Sequence, residues 1–181
     1  MASRIVLVNG IWSHGENNVD LVGGEMSMRG YKIVDVPLGK VGPFGARFSG
    51  KDDGQKVACW SQDGDILVAH SYGAVRAWYA SRYREYKAIF LIAPAQSANA
   101  EWRNPSRVWC FHSKEDRVLY LGAALFWHPF GKAGIKGYNQ PGVHNVEVHS
   151  DHNDYFHHKS LLKQICDTIE LADQRLGDVH A

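Results

Sequence analysis

Cysteine is scarce in this chain: three residues among 181, Cys59, Cys110 and Cys166, far apart and without a Cys-x-x-Cys pair. An odd, dispersed set builds neither a disulfide framework nor a zinc site, so a reducing compartment is expected. No stretch approaches the roughly 18 consecutive apolar residues of a membrane span. Met1-Ala2-Ser3-Arg4 runs straight into a strand pattern, which leaves no room for a signal peptide. The expectation is a cytoplasmic protein. An excess of one charge is also missing: 20 Lys and Arg against 19 Asp and Glu give +1 with histidines neutral, and the basic residues are scattered. That removes the electrostatic ground for nucleic acid or an anionic membrane surface as partner. What remains, 45% hydrophobic and 22% charged residues, is ordinary globular composition. The length suits one domain, residues 1–181, with a core of its own.

Short β-branched runs recur along the chain: Arg4–Val8, Tyr31–Val36, Asp65–Ala69, Ala88–Ile92, Arg107–Phe111 and Asn145–His149. Several are nearly continuous apolar runs, as in strands buried on both faces of a parallel sheet. The segments between them are long enough for helical crossovers, which predicts an open α/β sheet with helices on both sides. Helices are expected over Asn18–Arg29, from Ala74 to Ser81, and over Lys159–Arg175. In the second of these, Ala74, Ala77, Trp78 and Ser81 share a face, with Arg76, Arg82 and Arg84 largely outside it. Between Val36 and Asp65 the glycines (Gly39, Gly42, Gly45, Gly50, Gly54) lack any nucleotide-binding spacing. They read as a flexible surface loop with a short helix around Val57–Trp60.

Ala69-His70-Ser71-Tyr72-Gly73 lies between the third strand and a helical pattern. A serine held between small residues at a sharp strand-to-helix turn has the form of a serine hydrolase nucleophile elbow. The turn pushes the hydroxyl outward and brings the residues two before and two after it together, so only small side chains fit. A serine nucleophile needs a base, and the base needs an acid to fix its tautomer. Reacting groups in an α/β sheet gather at the carboxyl ends of strands. After the fifth strand comes Asp116, the expected acid, with Glu115 as runner-up. After the sixth comes His152, the expected base, with His149 as runner-up. The order serine, acid, histidine suits this architecture. Oxyanion donors are expected from the backbone N–H groups of Tyr72 and of Ile11 in the loop after the first strand, or Trp12 if that turn is one residue longer.

These features resemble a small member of the α/β-hydrolase superfamily, over nearly the whole chain. Val8-Asn9-Gly10-Ile11-Trp12 stands where that family commonly has His-Gly-x-x, with Asn9 in place of the histidine. The elbow resembles the Ala-x-Ser-x-Gly variant of some lipases and esterases, and Asp116 and His152 match the acid and base positions. The resemblance implies a three-layer α/β/α sandwich with a mostly parallel six-stranded sheet, near the lidless minimum of the family. It also implies Ser71-Asp116-His152 hydrolysis of a small-molecule ester. Thioesterase, peptidase or amidase activity, or a non-catalytic binding role, are the alternatives.

That chemistry calls for no cofactor. His149, His152, His157 and His158 invite a metal, but no matching Cys or Glu pattern accompanies them. His70 reads as a packing or hydrogen-bonding neighbour of the nucleophile. Val118–Phe130 is apolar and aromatic, and either walls an acyl pocket, forms a small flap or packs as an ordinary helix. Leu119, Phe126 and Trp127, with Trp12, are the pocket candidates; Trp102 is a weaker one. Cys110, in mid-strand, is expected to be buried and inert.

Overall fold

The computed structural model describes residues 3–11, 18–39, 43–125 and 131–177. Six strands, β1 (Arg4–Val8), β2 (Lys32–Asp35), β3 (Ile66–His70), β4 (Ala88–Ile92), β5 (Val108–His112) and β6 (His144–Glu147), form one sheet in the order β2-β1-β3-β4-β5-β6. Every pairing is parallel. The chain steps outward from β1 to β2, then crosses back to β3 and proceeds the other way. The β1/β3 boundary is therefore the topological switch point, where open α/β sheets place their ligands. Pairing of Val8 with Ala69 and of His70 with Ile92 brings the carboxyl ends of β1, β3 and β4 level.

Alternation along the strands assigns residues to two cores. Ile5 and Leu7 of β1, Ile66 and Val68 of β3, and Phe90 and Ile92 of β4 face α1 (Asn18–Met28) and α6 (Lys159–Gly177), meeting Val22 and Met26 of the first and Ile165 and Ile169 of the second. Val6, Val8, Leu67, Ala69, Ile89 and Leu91 point the other way, against Val57 of α2 (Pro43–Trp60) and Ala74, Ala77 and Ala80 of α3 (Gly73–Ala80). A strand buried on both faces needs apolar residues at every position, which is the origin of the continuous runs in the sequence. Two further helices, α4 (Arg117–Leu125) and α5 (Ala133–Lys136), follow β5. No helix among the described residues is long and apolar enough to cross a membrane.

The glycine-rich segment expected to be a flexible loop is instead helix α2, 18 residues long and opening at Pro43. Glycine lowers helix propensity by about 1 kcal/mol per residue relative to alanine, which argues against this helix from sequence alone. The compensation is tertiary. A Cβ on Gly54 would lie 2.3 Å from the Tyr79 Cβ and 2.9 Å from the Arg76 carbonyl oxygen; one on Gly50 would press on Tyr72, Val75 and Tyr79. The glycines let the backbones of α2 and α3 approach closely. Covering α3 with a second helix also corrects the expectation for Arg76, which is 1% exposed and ion-paired to Asp53 of α2.

Gly54→Ala is therefore expected to destabilise the protein by about 1–3 kcal/mol through overpacking. Gly24→Ala, in α1 where an added Cβ meets nothing within 4 Å, should stabilise it by about 0.4–1 kcal/mol. Urea unfolding of the two variants checks the contrast; equal and small effects would remove the close-approach role of Gly54.

Candidate active site

Ser71 follows β3 directly and has φ 55°, in the left-handed region that residues bearing a side chain avoid. Its backbone is held on both sides. The Ser71 N–H donates to the Ile92 carbonyl at 3.0 Å, and the Ser71 carbonyl accepts from Ala74 N–H at 3.1 Å and Ala95 N–H at 3.0 Å. Gly73 fits the first turn of α3 because it has no Cβ: one would fall 2.4 Å from the Val8 carbonyl oxygen. Gly10 makes the matching approach from the β1 loop, where a Cβ would sit 3.0 Å from that of Ser71. The elbow is thus wedged between the ends of β1 and β4.

Asp116 occupies the position before α4. Its Oδ1 accepts the Leu119 N–H at 2.9 Å. This is the bond by which an N-cap carboxylate satisfies a helix start, an interaction worth about 1 kcal/mol. Its Oδ2 accepts the His152 Nδ1–H at 2.7 Å, and both residues are buried. With Nδ1 carrying the proton, the His152 Nε2 lone pair faces the Ser71 hydroxyl at 3.0 Å. The structure therefore brings Ser71, His152 and Asp116 into one hydrogen-bonded row. The runners-up are elsewhere: His149 Nδ1–H donates to Glu115 at 3.0 Å in an exposed pair apart from that row.

Two neighbours fix the His152 loop. Asp151 Oδ1 accepts the N–H of His152 at 2.8 Å and that of Arg117 at 3.1 Å, so one carboxylate ties the histidine loop to the first turn of α4. The His152 amide, and then the Arg117 amide and charge, outweigh the opposing effect of desolvation and hold the Asp151 carboxyl below its usual range. His70 Nε2–H donates to the His152 carbonyl at 3.2 Å, its ring 5.0 Å from that of His152 and edge-on to Phe156. Burial, reinforced by the proximity of His152, pushes His70 down to about 3. His70 is accordingly a neutral donor, the hydrogen-bonding role expected of it. Asp151 was not singled out in the sequence, although an aspartate directly before a loop histidine is well placed to bond the next amide.

Of the other expected residues, Tyr72 stands at the N-cap of α3 with its ring buried, and the Ile11 side chain packs on the Ala46, Tyr72 and Val75 cluster. Leu119 is buried against Ala95 and Ile135, and among the described side chains of α4 Val118, Tyr120 and Leu121 are exposed. Trp102 is buried against Tyr138 and lies by Ile89 and Val108, at the amino ends of β4 and β5, away from Ser71. Trp12, Phe126 and Trp127 lie outside the described residues. Cys110 is buried, and burial drives its thiol well above the usual range. Among the described residues no three His, Cys, Asp or Glu side chains gather to hold a metal ion.

A histidine held neutral by burial makes stability depend on pH. Its folded value lies below the unfolded 6.5, so the unfolded chain binds the extra proton between about 6.5 and 3. Stability present above pH 6.5 is expected to fall across that window by up to about 1.4 kcal/mol per pH unit from this group. His112, also lowered by burial, adds to the loss. Urea unfolding at stepped pH should show a shallower loss for His70→Gln than for the parent. A pH-independent difference between the two would show that His70 is not the group responsible.

Neither a family model nor any curated protein sequence matches the chain. Solved structures do. A protein from Xanthomonas campestris pv. campestris assigned to the α/β hydrolase superfamily superposes with a TM-score of 0.60 at 14% identity, covering 93% of this chain and 98% of that one. An extracellular α/β-hydrolase from a Paenibacillus species, which shares structural and functional homology with tobacco salicylic acid binding protein 2, gives 0.60 at 13% identity, covering 94% and 98%. The thioesterase domain from the curacin biosynthetic pathway gives 0.50 at 12% identity, covering 91% and 90%. With its all-parallel six-stranded sheet and flanking helices, the chain has the α/β-hydrolase fold.

Proposed function

We propose that this protein is a serine hydrolase that cleaves a carboxylic ester through an acyl-enzyme. The observation that carries the reading is the row Ser71 Oγ, His152 Nε2 and Nδ1, Asp116 Oδ2, spaced 3.0 Å and 2.7 Å and set on a strained turn. Ser71 Oγ attacks the ester carbonyl carbon while its proton passes to His152 Nε2. Asp116 stabilises the imidazolium so formed without itself taking the proton. The negative charge on the former carbonyl oxygen is met by the N–H groups of Ile11 and Tyr72. Preorganised donors of this kind contribute about 10²–10³ each in turnover. His152 returns the proton to the leaving alcohol, the ester C–O bond breaks, and the acyl group stays on Ser71. Water then attacks the acyl carbon with His152 again as base, releasing the acid and restoring Ser71.

The same groups act on any activated acyl donor, so the acyl and leaving groups are set by the pocket and not by the row itself. The likeness to a thioesterase domain makes a thioester the second substrate class to test. The three free cysteines, one of them exposed, support a reducing and therefore cytoplasmic setting, although one structural neighbour is extracellular.

A fluorophosphonate probe is expected to label the parent protein on Ser71 and to leave Ser71→Ala unlabelled; an unlabelled parent would favour a binding protein. Asp116→Asn should lower turnover about 10³–10⁴-fold, because the amide favours the wrong histidine tautomer. Near-normal turnover in that variant would move the acid elsewhere. A panel of esters of graded acyl length, with matched thioesters and amides, then ranks the substrate classes by kcat/KM.

A further inference from the structure

Arg76 is the largest fully buried side chain of the described residues, and it is charged. Burying a guanidinium requires that its donors be matched. Here the partners lie on two different elements. Nε donates to Asp53 Oδ2 of α2 at 3.1 Å, Nη2 lies 3.0 Å from the same oxygen as an ion pair, and the cation lies 5.1 Å from the centre of the Tyr72 ring. Nη1 reaches out of α3 to the loop after β1, donating to the Asn9 carbonyl at 2.8 Å and the Gly10 carbonyl at 3.2 Å. That loop holds the Gly10 backbone against Ser71.

We infer that Arg76, oriented by Asp53, is the positioning residue of the oxyanion site; the inference rests on the hydrolase reading above. A trans peptide unit is planar, with its C=O and N–H pointing in opposite directions. Capturing the Gly10 carbonyl on the guanidinium fixes the plane of the Gly10–Ile11 peptide and turns the Ile11 N–H to the side away from Arg76. Arg76 lies on the helix whose N-cap is Tyr72, so one side chain sets the spacing between the two proposed donors. A glycine-containing loop is free to rotate its peptides, and oxyanion stabilisation depends on donors that need no reorganisation. Two neighbouring carbonyls and a carboxylate suit the planar fork of arginine; the compact lysine ammonium cannot reach all three. Arg76 touches no reacting atom in this scheme, and acts through Ile11.

The test uses the whole 181-residue chain. Removing one member of a buried pair risks misfolding, so the principal variant is Arg76→Met combined with Asp53→Leu, which replaces both charges with apolar groups. Retention of fold is read by circular dichroism and urea unfolding. The inference expects kcat to fall on the order of 100-fold with KM changed less than about threefold. Affinity for a boronic acid that forms a tetrahedral adduct on Ser71 should fall in step with kcat. Arg76→Lys should recover part of the loss by keeping one donor on the carbonyls. Independently of turnover, the order parameter of the Ile11 N–H, read by 15N relaxation, should fall from about 0.85 toward 0.6 in the double variant, while that of the core amide of Ile165 stays unchanged. A folded double variant with kcat within about threefold of an active parent, or with an unaltered Ile11 order parameter, overturns the inference. An inactive, unlabelled parent counts instead against the hydrolase reading, and the order-parameter comparison still decides whether the anchor exists.

Discussion

Ser71 holds a backbone conformation that a side-chain-bearing residue occupies only under constraint, at an expense of about 1–3 kcal/mol. The surrounding structure meets it with hydrogen bonds from three directions, β4 on one side, α3 on another and the turn after β4 on the third. That last turn carries a second left-handed residue, Ala93 with φ 45°, and by reversing there the chain brings the Ala95 N–H to the Ser71 carbonyl. Close backbone approaches at Gly10 and Gly73 complete the enclosure. The hydroxyl is thus presented at the switch point of the sheet by backbone geometry, before any side chain acts on it.

Side chains then fix the remaining parts, each by serving two elements at once. Asp116 caps α4 with one oxygen and receives His152 with the other. Asp151 joins the His152 amide to α4, and His70 anchors the His152 carbonyl from beneath the elbow. Arg76 joins α3 to the β1 loop and draws its countercharge from α2. Breaking a buried pair of that kind by removing one partner costs about 3–5 kcal/mol, since an uncompensated charge is left behind. Stability and site geometry are coupled for this reason: the groups that hold the loops together are the groups that set Ser71, His152 and Asp116 in their row.

The sheet was readable because its strands are buried on both faces, and that demand writes continuous apolar runs such as Ile66–Ala69 and Ala88–Ile92 into the sequence. The elbow was readable because its steric limits admit few residue types. His152 could be ranked above His149 because it lies in the loop beyond the sixth strand, whereas position alone did not separate Asp116 from Glu115; the structure sets His152 between Ser71 and Asp116, and Glu115 and His149 on the surface. Helix α2 was not readable. Its glycines carry the composition of a loop, and only the presence of α3 against Gly50 and Gly54 explains them. Missing that helix also hid Arg76, whose burial depends on an acid 23 residues earlier in the chain. Hydrogen bonds to backbone, such as those of Asp151, leave little trace in composition or periodicity.

If the proposed chemistry holds, Ser71 becomes covalently acylated during turnover. Mixing the protein with a slowly turned-over activated ester, quenching in acid within the first turnovers and analysing intact and digested protein by mass spectrometry tests it directly. A serine hydrolase acting through Ser71 shows a transient mass increase equal to one acyl group, located on the peptide containing Ser71 and decaying as product acid appears. Hydrolysis without any acylated protein, or an acyl group on another residue, would contradict it.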